Sequence, residues 1–326
     1  MSSQTAFIYS RDPRHERVCK QSCENLMKAC QSKPGYDFAR VRQKMSREFK
    51  SRTGKQAREW QLDVAECLLL GIDSVMIAGT GAGKTVPYML PHFVTEFTKN
   101  KVMFIVQPLK NLQHDQARRF RKAGIKVKVV NGETWSPQVT ADIKAAKYQA
   151  VFIGPEMLFR HAGGQDLLST LGTAEQILAF VIDEAHCISQ WGGDFRPTYM
   201  QLMELRAYIS RTTAVLACSA TLCPDALRQV EETLLIKPAD SFYLNLGNDR
   251  PNIKTVVKVI NSSQDFAALD DILELSQMSD EEYEIPKTVI FANQRWLVQD
   301  IWKYIYAKVP EGRRGSIGYL HSMRSS

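Results

Sequence analysis

The chain has 326 residues, of which 44% are hydrophobic and 24% are charged, the balance of a globular protein with room for two domains. No apolar run reaches the length of a membrane span, and the N-terminus lacks the basic and apolar segments of a signal peptide, which excludes a membrane protein and a secreted one. Without an evident targeting signal, we expect the nucleus in a eukaryote and the cytoplasm otherwise. We interpret the seven cysteines as free thiols of a reducing compartment.

The formal net charge of +7 favours a polyanionic partner, and the basic residues are concentrated in two segments. A solvated helix face and a surface for a polyanion compete as explanations of each segment. The first segment contains Arg40, Arg42, Lys44, Arg47, Lys50, Arg52, Lys55 and Arg58. The second contains Arg118, Arg119, Arg121 and Lys122.

Residues 1–50 form a basic extension with two predicted helices, over residues 14–31 and 38–50, separated by a Lys-Pro-Gly break. One histidine and three cysteines of this extension suggest zinc, but they lack the close Cys-x-x-Cys pair of most structural zinc sites. Packing of one helix face explains their spacing, and we favour that interpretation. The residues are His15, Cys19, Cys23 and Cys30.

A helix predicted over residues 58–71 ends at a glycine and carries Gln61, 23 residues before Lys84. A glutamine amide has donors and an acceptor, so it can pair with the edge of adenine. The distance of Gln61 from the phosphate loop at Lys84 is the reason for giving it this role.

A phosphate-binding loop is predicted over residues 78–85, between an apolar strand over residues 74–77 and the start of a helix. Glycines let the backbone curl so that successive N–H groups point at one anion, and the helix N-terminus adds partial positive charge. Lys84 would reach the β- and γ-phosphates of a nucleotide, and Thr85 would place its hydroxyl on Mg²⁺. Ala78 stands where the pattern has its first glycine. The predicted cofactor-binding residues of the loop are Thr80, Gly81, Ala82, Gly83, Lys84 and Thr85.

Five further apolar runs are predicted as buried strands that alternate with helices, which indicates a parallel sheet covered on both faces. The fold class is therefore α/β, with a P-loop domain over residues 51–247. The predicted strands cover residues 101–106, 127–130, 150–153, 179–182 and 214–217.

The fifth of these six strands is followed by two carboxylates, Asp183 and Glu184. Asp183 is placed to hold the Mg²⁺ shell, and Glu184 can orient or deprotonate the attacking water. At the end of the sixth strand, the hydroxyls of Ser219 and Thr221 can hydrogen-bond this acidic motif.

A loop after the acidic motif contains Trp191, Phe195 and Arg196 around two glycines. Aromatic rings on a mobile loop beside cations can stack on unpaired bases. The alternative is that both rings only anchor the loop to the core.

A second unit follows a linker at residues 248–252. We expect a helix near residues 266–276, a strand over residues 288–291 and a helix over residues 297–307. This is too little chain for a complete second α/β domain.

The motifs together resemble the RecQ family of ATP-dependent DNA helicases, in helicase superfamily two, over about residues 50–321. The most specific match is the Asp-Glu-Ala-His box with the aromatic-rich loop, residues 183–192 and 194–197. Arg58 and Gln61 match the adenine-binding motif of the family. The remaining matches are motif III at residues 219–221, the entry to the second RecA-like domain at residues 249–252, and motif IV at residues 289–293.

The resemblance implies a RecA-like domain over residues 51–247 and part of a second one over residues 248–326. It implies ATP and Mg²⁺ as cofactors, single-stranded DNA and duplex junctions as partners, 3′-to-5′ unwinding, and a place in DNA repair and recombination. The implied catalytic residues are Lys84, Asp183, Glu184 and His186. The implied DNA contacts are Trp191, Phe195 and Arg196, and the implied coupling residues are Gln190, Ser219 and Thr221.

The chain departs from the family in four ways. Gly193 replaces the usual histidine of the aromatic loop, and no aromatic residue precedes Arg58 at the usual spacing. The sequence ends before motifs V and VI, and motif VI supplies an arginine worth about 10³ or more in rate. The zinc and winged-helix regions are absent. The sequence leaves open whether a longer natural product, a partner chain or nothing supplies the missing half. An ATP- and DNA-binding module without strand separation and a DEAD-type RNA helicase remain as alternatives.

Overall fold

The computed structural model describes residues 13–191, 197–248, 252–260, 262, 264–274 and 287–321. It divides into unit 1, Met1–Arg250, and unit 2, Pro251–Ser326. The strands of unit 1 are β1 (Ser74–Ile77), β2 (Val102–Val106), β3 (Val127–Val130), β4 (Ala150–Ile153), β5 (Ile177–Asp183), β6 (Ala214–Ser219) and β7 (Phe242–Asn245). Its helices are α1 (Pro13–Ser32), α2 (Phe38–Thr53), α3 (Glu59–Leu70), α4 (Val86–Met89), α5 (Thr95–Thr98), α6 (Lys110–Lys122), α7 (Pro137–Lys144), α8 (Pro155–Phe159), α9 (Ala162–Thr173), α10 (Cys187–Trp191), α11 (Leu205–Tyr208) and α12 (Pro224–Leu234).

The strands form one sheet in the order β3-β4-β2-β5-β6-β1-β7, and every pairing is parallel. Successive residues of a strand face opposite sides, so each strand contributes to two buried clusters. In β2, Met103 and Ile105 pack in one cluster, and Val102, Phe104 and Val106 pack in the other. This confirms the predicted α/β fold with a parallel sheet buried on both faces.

Helices α1 and α2 belong to the core of unit 1, because Leu26, Met45 and Phe49 are buried in the cluster on their side of the sheet. Helix α1 also lies against β7, where the Ser22 hydroxyl accepts a hydrogen bond from the Tyr243 N–H (2.8 Å). The structure therefore has no division near residue 50, where the sequence predicts the end of a separate extension.

The first basic segment is not one solvated helix face. Arg42 turns toward α3, where its Nη1 lies 2.7 Å from both Asp63 Oδ1 and Glu66 Oε2. Burial raises the pKa of Glu66 to about 7, although Arg42 favours the ionised form. Lys44 pairs with Glu96 (2.6 Å). Arg42 and Lys44 therefore connect α2 to α3 and α5.

Strand β7 is missing from the sequence prediction. It is four residues long, its side chains alternate between buried and half-buried, and it lies at the edge of the sheet beside β1. So short an alternating run gives a weak periodic signal, and pairing with β1 rather than local pattern defines it as a strand.

Unit 2 contains α13 (Ala268–Ile272), α14 (Arg295–Lys308) and a 3₁₀ turn at Glu311–Ser316. The strand predicted over residues 288–291 is wrong: the structure assigns no strand there, and Phe291 is 92% exposed. A strand needs a hydrogen-bonded neighbour, and the described part of unit 2 offers none. Its small buried cluster consists of Leu273, Ile305 and Val309.

All seven cysteines carry free thiols. Burial raises the pKa of Cys30 to about 11, which keeps this thiol protonated at neutral pH. None of the helices in the described ranges has the length and apolar content needed to traverse a bilayer.

Candidate nucleotide site

The loop between β1 and α4 adopts a backbone that glycine permits. Gly81 and Gly83 have φ angles of +85° and +91°, in the left-handed region that side chains disfavour. A Cβ on Gly83 would also lie 2.7 Å from Nε2 of Gln61. Both the backbone angle and the close neighbour therefore require glycine at position 83.

Lys84 folds back over its own loop, and its Nζ donates to the carbonyl of Ala78 (3.0 Å). The helix that follows is short, since α4 covers only Val86–Met89 before a 3₁₀ turn at Leu90–Phe93 takes over. The partial charge of a helix end grows from aligned peptide dipoles, so this helix contributes less to anion binding than the sequence suggested. Loop N–H groups and Lys84 would carry most of the attraction.

Gln61 lies between α3 and the loop, and it is only 3% exposed. Its Oε1 accepts from the backbone N–H of Arg58 (2.8 Å), and its Nε2 donates to the carbonyl of Gly83 (3.2 Å). The amide that was predicted to read adenine is thus engaged within the protein, and it fixes the start of α3 against the phosphate loop.

The carboxylate of Asp183 is buried and accepts five hydrogen bonds. Its Oδ2 accepts from Gln107 Nε2 (2.6 Å), Gln116 Nε2 (2.9 Å) and the Tyr88 hydroxyl (3.4 Å). Its Oδ1 accepts from the backbone N–H of Glu184 (3.0 Å) and from the thiol of Cys218 (3.1 Å). These donors satisfy the buried oxygens and fix the orientation of the carboxylate.

Four of these partners were missed by the sequence analysis. Cys218 could have been predicted as a partner of Asp183, because the parallel register of β5 and β6 pairs the two residues. Gln107 follows β2, which lies beside β5 in the sheet although two strands, β3 and β4, come between them in the chain. Tyr88 and Gln116 come from α4 and α6, and nothing local in the sequence relates them to the acid.

Glu184 occupies a left-handed backbone conformation with φ +53°, which costs a non-glycine residue about 1–2 kcal/mol. Burial raises the pKa of its carboxyl, and the adjacent Asp183 raises it further, while His186 and Lys84 partly oppose the change. Strained backbone and a raised pKa are typical of residues with a functional constraint.

Ser219 connects the acidic motif to the phosphate loop. His186 Nδ1 lies 2.9 Å from Ser219 Oγ and 3.3 Å from Glu184 Oε2. The Ser219 hydroxyl also lies 3.0 Å from the Thr221 carbonyl, so it can donate there while it accepts from His186 Nδ1. The Ser219 carbonyl in turn accepts from the N–H of Ala78 (3.1 Å).

Not all predicted residues enter this network. Thr221 is exposed, and Ser219 hydrogen-bonds its backbone N–H and carbonyl rather than its hydroxyl. Gln190 and Trp191 belong to α10, but their side chains lie outside the described residues. Phe195 and Arg196 lie wholly outside them.

The predicted Mg²⁺ ligands are oxygen donors, which suit this ion. The Tyr88 hydroxyl, from the helix that follows Thr85, donates to Asp183 Oδ2 (3.4 Å). The described residues contain no group of three or more acidic, histidine or cysteine side chains able to hold a metal. Mg²⁺ is usually bound by one or two carboxylates together with substrate phosphates.

Comparisons with known proteins agree with this geometry. A model of the DEAD/DEAH box helicase family matches residues 58–230. The probable ATP-dependent DNA helicase RecS of Bacillus subtilis (strain 168) is 31% identical over 241 residues, which are 73% of this chain and 45% of the relative. The bifunctional 3′-5′ exonuclease/ATP-dependent helicase WRN of Mus musculus is 30% identical over 231 residues, 70% of this chain and 15% of the relative.

The ATP-dependent DNA helicase RecQ of Haemophilus influenzae is 30% identical over 63% of this chain and 32% of its own length. A crystal structure of the DUF1998 helicase MrfA matches the fold with a TM-score of 0.57 at 21% identity, over 85% of this chain and 42% of that one. This chain spans less than half the length of these relatives. The predicted resemblance to RecQ-type helicases is confirmed, and the chain belongs to the DEAD/DEAH box helicase family.

Proposed function

We propose that the chain is the ATP-binding part of a RecQ-type DNA helicase, which couples ATP hydrolysis to 3′-to-5′ movement along one DNA strand and to unwinding of duplex ahead of it. The observation that carries the proposal is the hydrogen-bonded connection from Lys84 through Ala78 and Ser219 to His186 and Glu184. Its relatives are named as ATP-dependent DNA helicases, which supports DNA as the substrate.

In this proposal each residue has one task. The loop N–H groups and Lys84 bind the triphosphate, and Thr85 with Asp183 would hold Mg²⁺, which supplies charge neutralisation at the β- and γ-phosphates. Glu184 orients the attacking water and takes its proton, which a carboxylate with a raised pKa does more readily. Asp183 is held in place by its five hydrogen-bond donors.

His186 and Ser219 would couple Glu184 to the phosphate loop, because Ser219 hydrogen-bonds both His186 and the backbone N–H of Ala78. Trp191, Phe195 and Arg196 would hold the DNA strand, and Gln190 would connect them to His186 through α10. Gln61 and Arg58 would set the position of the adenine pocket relative to the loop.

The test is an ATPase assay on the chain with and without single-stranded DNA, together with a displacement assay on forked substrates of both polarities. DNA-stimulated turnover and displacement in the 3′-to-5′ direction are expected. Nucleotide binding with no turnover would support the ATP- and DNA-binding module instead. Equal or greater stimulation by RNA would support the RNA helicase alternative.

A further inference from the structure

The two basic segments of the sequence meet in the folded chain. Arg52, in the last turn of α2, donates from Nη1 to the carbonyl of Ala123, directly after α6 (3.2 Å). The approach is close enough that a Cβ on Gly124 would lie 2.6 Å from the same nitrogen. Parts of the chain 71 residues apart in sequence therefore form one surface.

We call this the basic surface and define it by six exposed cations. They are Lys50, Arg52, Lys55, Arg121, Lys122 and Lys126. Within the described residues only Arg52 of this set forms an ion pair, with Glu48 at 3.4 Å. The surface thus carries positive charge that the described part of the protein does not neutralise.

Cations in the last turn of a helix interact favourably with the helix dipole, and this explains part of the pattern. Lys50 and Arg52 end α2, and Arg121 and Lys122 end α6. The helix dipole does not explain the positions of Lys55 and Lys126, because both residues lie beyond the helix ends. Six neighbouring like charges also repel one another, so a partner that neutralises them would gain affinity.

The basic surface lies away from the candidate nucleotide site. Helix α6 begins after β2, carries Gln116 to Asp183, and ends before β3 starts. Gln116 lies six residues before the end of α6, which is about 9 Å along the helix axis. The chain then enters β3 at the amino end of the parallel sheet, whereas Asp183 ends β5 at the carboxyl end. A strand bound beside the nucleotide would not be the segment that touches this surface.

We propose that the basic surface binds the phosphate backbone of duplex DNA, an inference that rests on the proposed function. The aromatic residues of its two segments, Phe49 and Phe120, are both buried, so neither ring can stack on unpaired bases. Contact with phosphates alone suits a duplex, whose bases are paired inside, and guanidinium groups bind phosphate oxygens in a forked geometry.

The test compares two triple variants with the same change in charge. The test variant is Lys50→Glu/Lys122→Glu/Lys126→Glu, and the control variant is Lys20→Glu/Lys28→Glu/Lys237→Glu, all at exposed lysines. The control lysines lie around β7, where Asn25 of α1 donates to the Ala239 carbonyl (2.9 Å). Strands β3 and β7 are opposite edges of the sheet, about 29 Å apart. Thermal melts establish that both variants are folded.

Binding to a blunt duplex and to a single strand of equal length is measured by fluorescence anisotropy between 50 and 200 mM salt. We expect the test variant to lose about tenfold in duplex affinity, and its slope of log K against log salt to flatten by about 2 to 3. Its single-strand affinity stays within about threefold, and the control variant changes little with either DNA.

The contrary outcomes are distinct. If both variants lose duplex affinity equally, the loss is caused by the change in net charge alone, and the basic surface is not a binding site. If the wild type binds the single strand but not the duplex, this inference fails and the proposed function stands. If it binds neither, both fail. Loss of binding to phosphatidylserine vesicles with unchanged duplex binding would assign the surface to a membrane instead.

Discussion

The two sides of the candidate site are prepared for a ligand in opposite ways. On the loop side, Lys84 rests on a backbone carbonyl of its own loop, and the glycines leave the N–H groups open to an anion. On the acid side, Asp183 is buried and accepts five hydrogen bonds from five separate segments of the chain. The loop therefore gains its partners when nucleotide binds, whereas the acid is held in place by the protein beforehand, as preorganised electrostatic catalysis requires.

The sharpest test of this comparison is Glu184→Gln. The substitution keeps the shape of the side chain but removes the proton acceptor, so we expect hydrolysis to fall by about 10²- to 10⁴-fold while nucleotide affinity changes less than about twofold. Phosphate release in the presence of DNA and titration with a fluorescent ATP analogue measure the two effects. Glu204→Gln, at an exposed position of unit 1, is the matched control. Unchanged hydrolysis would remove Glu184 from the chemistry.

Lys84→Ala probes the loop side. It deletes a charge-assisted contact to phosphate worth about 1.5 to 3 kcal/mol, so affinity for the ATP analogue is expected to fall by about 10- to 100-fold. Stability should change little, because Lys84 is partly exposed and the hydrogen bond it loses is one to the Ala78 carbonyl. Lys101→Ala, at an exposed lysine outside the loop, is the control. Unaltered analogue affinity in Lys84→Ala would contradict the phosphate assignment.

The same contrast explains what the sequence could predict. The phosphate loop is contiguous, so residues 78–85 and the strand before them were recognisable from local pattern alone. Asp183 and Glu184 were recognisable because they end an apolar strand. Partners of Asp183 such as Gln107 and Gln116 were not, since they reach it only because β2 lies beside β5 in the sheet order.

Order within the sheet depends on long-range pairing, which local periodicity does not encode. The same limit accounts for β7, which exists through its pairing with β1, and for residues 288–291, whose apolar pattern lacks a neighbouring strand in the described part of unit 2. Helix bounds were predicted well where an amphipathic stripe and a glycine coincide, as in α3, which ends before Gly71.

Gln107→Met tests whether the acid side is preorganised by its neighbours. Gln107 is fully buried and gives the shortest of the five hydrogen bonds to Asp183 (2.6 Å). Its loss is expected to lower the free energy of unfolding by about 1–3 kcal/mol and hydrolysis by about tenfold. Urea denaturation and the ATPase assay measure these changes.

Gln116→Met is the matched comparison, because it also donates to Asp183 Oδ2 but is only partly buried. We expect the same direction with a smaller loss of stability, since solvent can replace part of its hydrogen bond. If both variants retain the stability and the ATPase activity of the wild type, the network around Asp183 does not hold the acid in place.

The smallest expected effect concerns the pH dependence of hydrolysis. Glu184 acts as a base only when ionised, and burial together with Asp183 raises its pKa, so activity should fall on acidification at a higher pH than for an ordinary glutamate. The imidazole of His186, 3.3 Å from the Glu184 carboxylate, opposes this increase. In His186→Ala the pKa of Glu184 should therefore be higher, and the acid limb of kcat/KM should move to higher pH.

Ser219→Ala removes the other partner of His186 Nδ1 without touching Glu184, so the acid limb should stay in place even if coupling to DNA weakens. An acid limb that moves to lower pH in His186→Ala would show that a group other than Glu184 sets it.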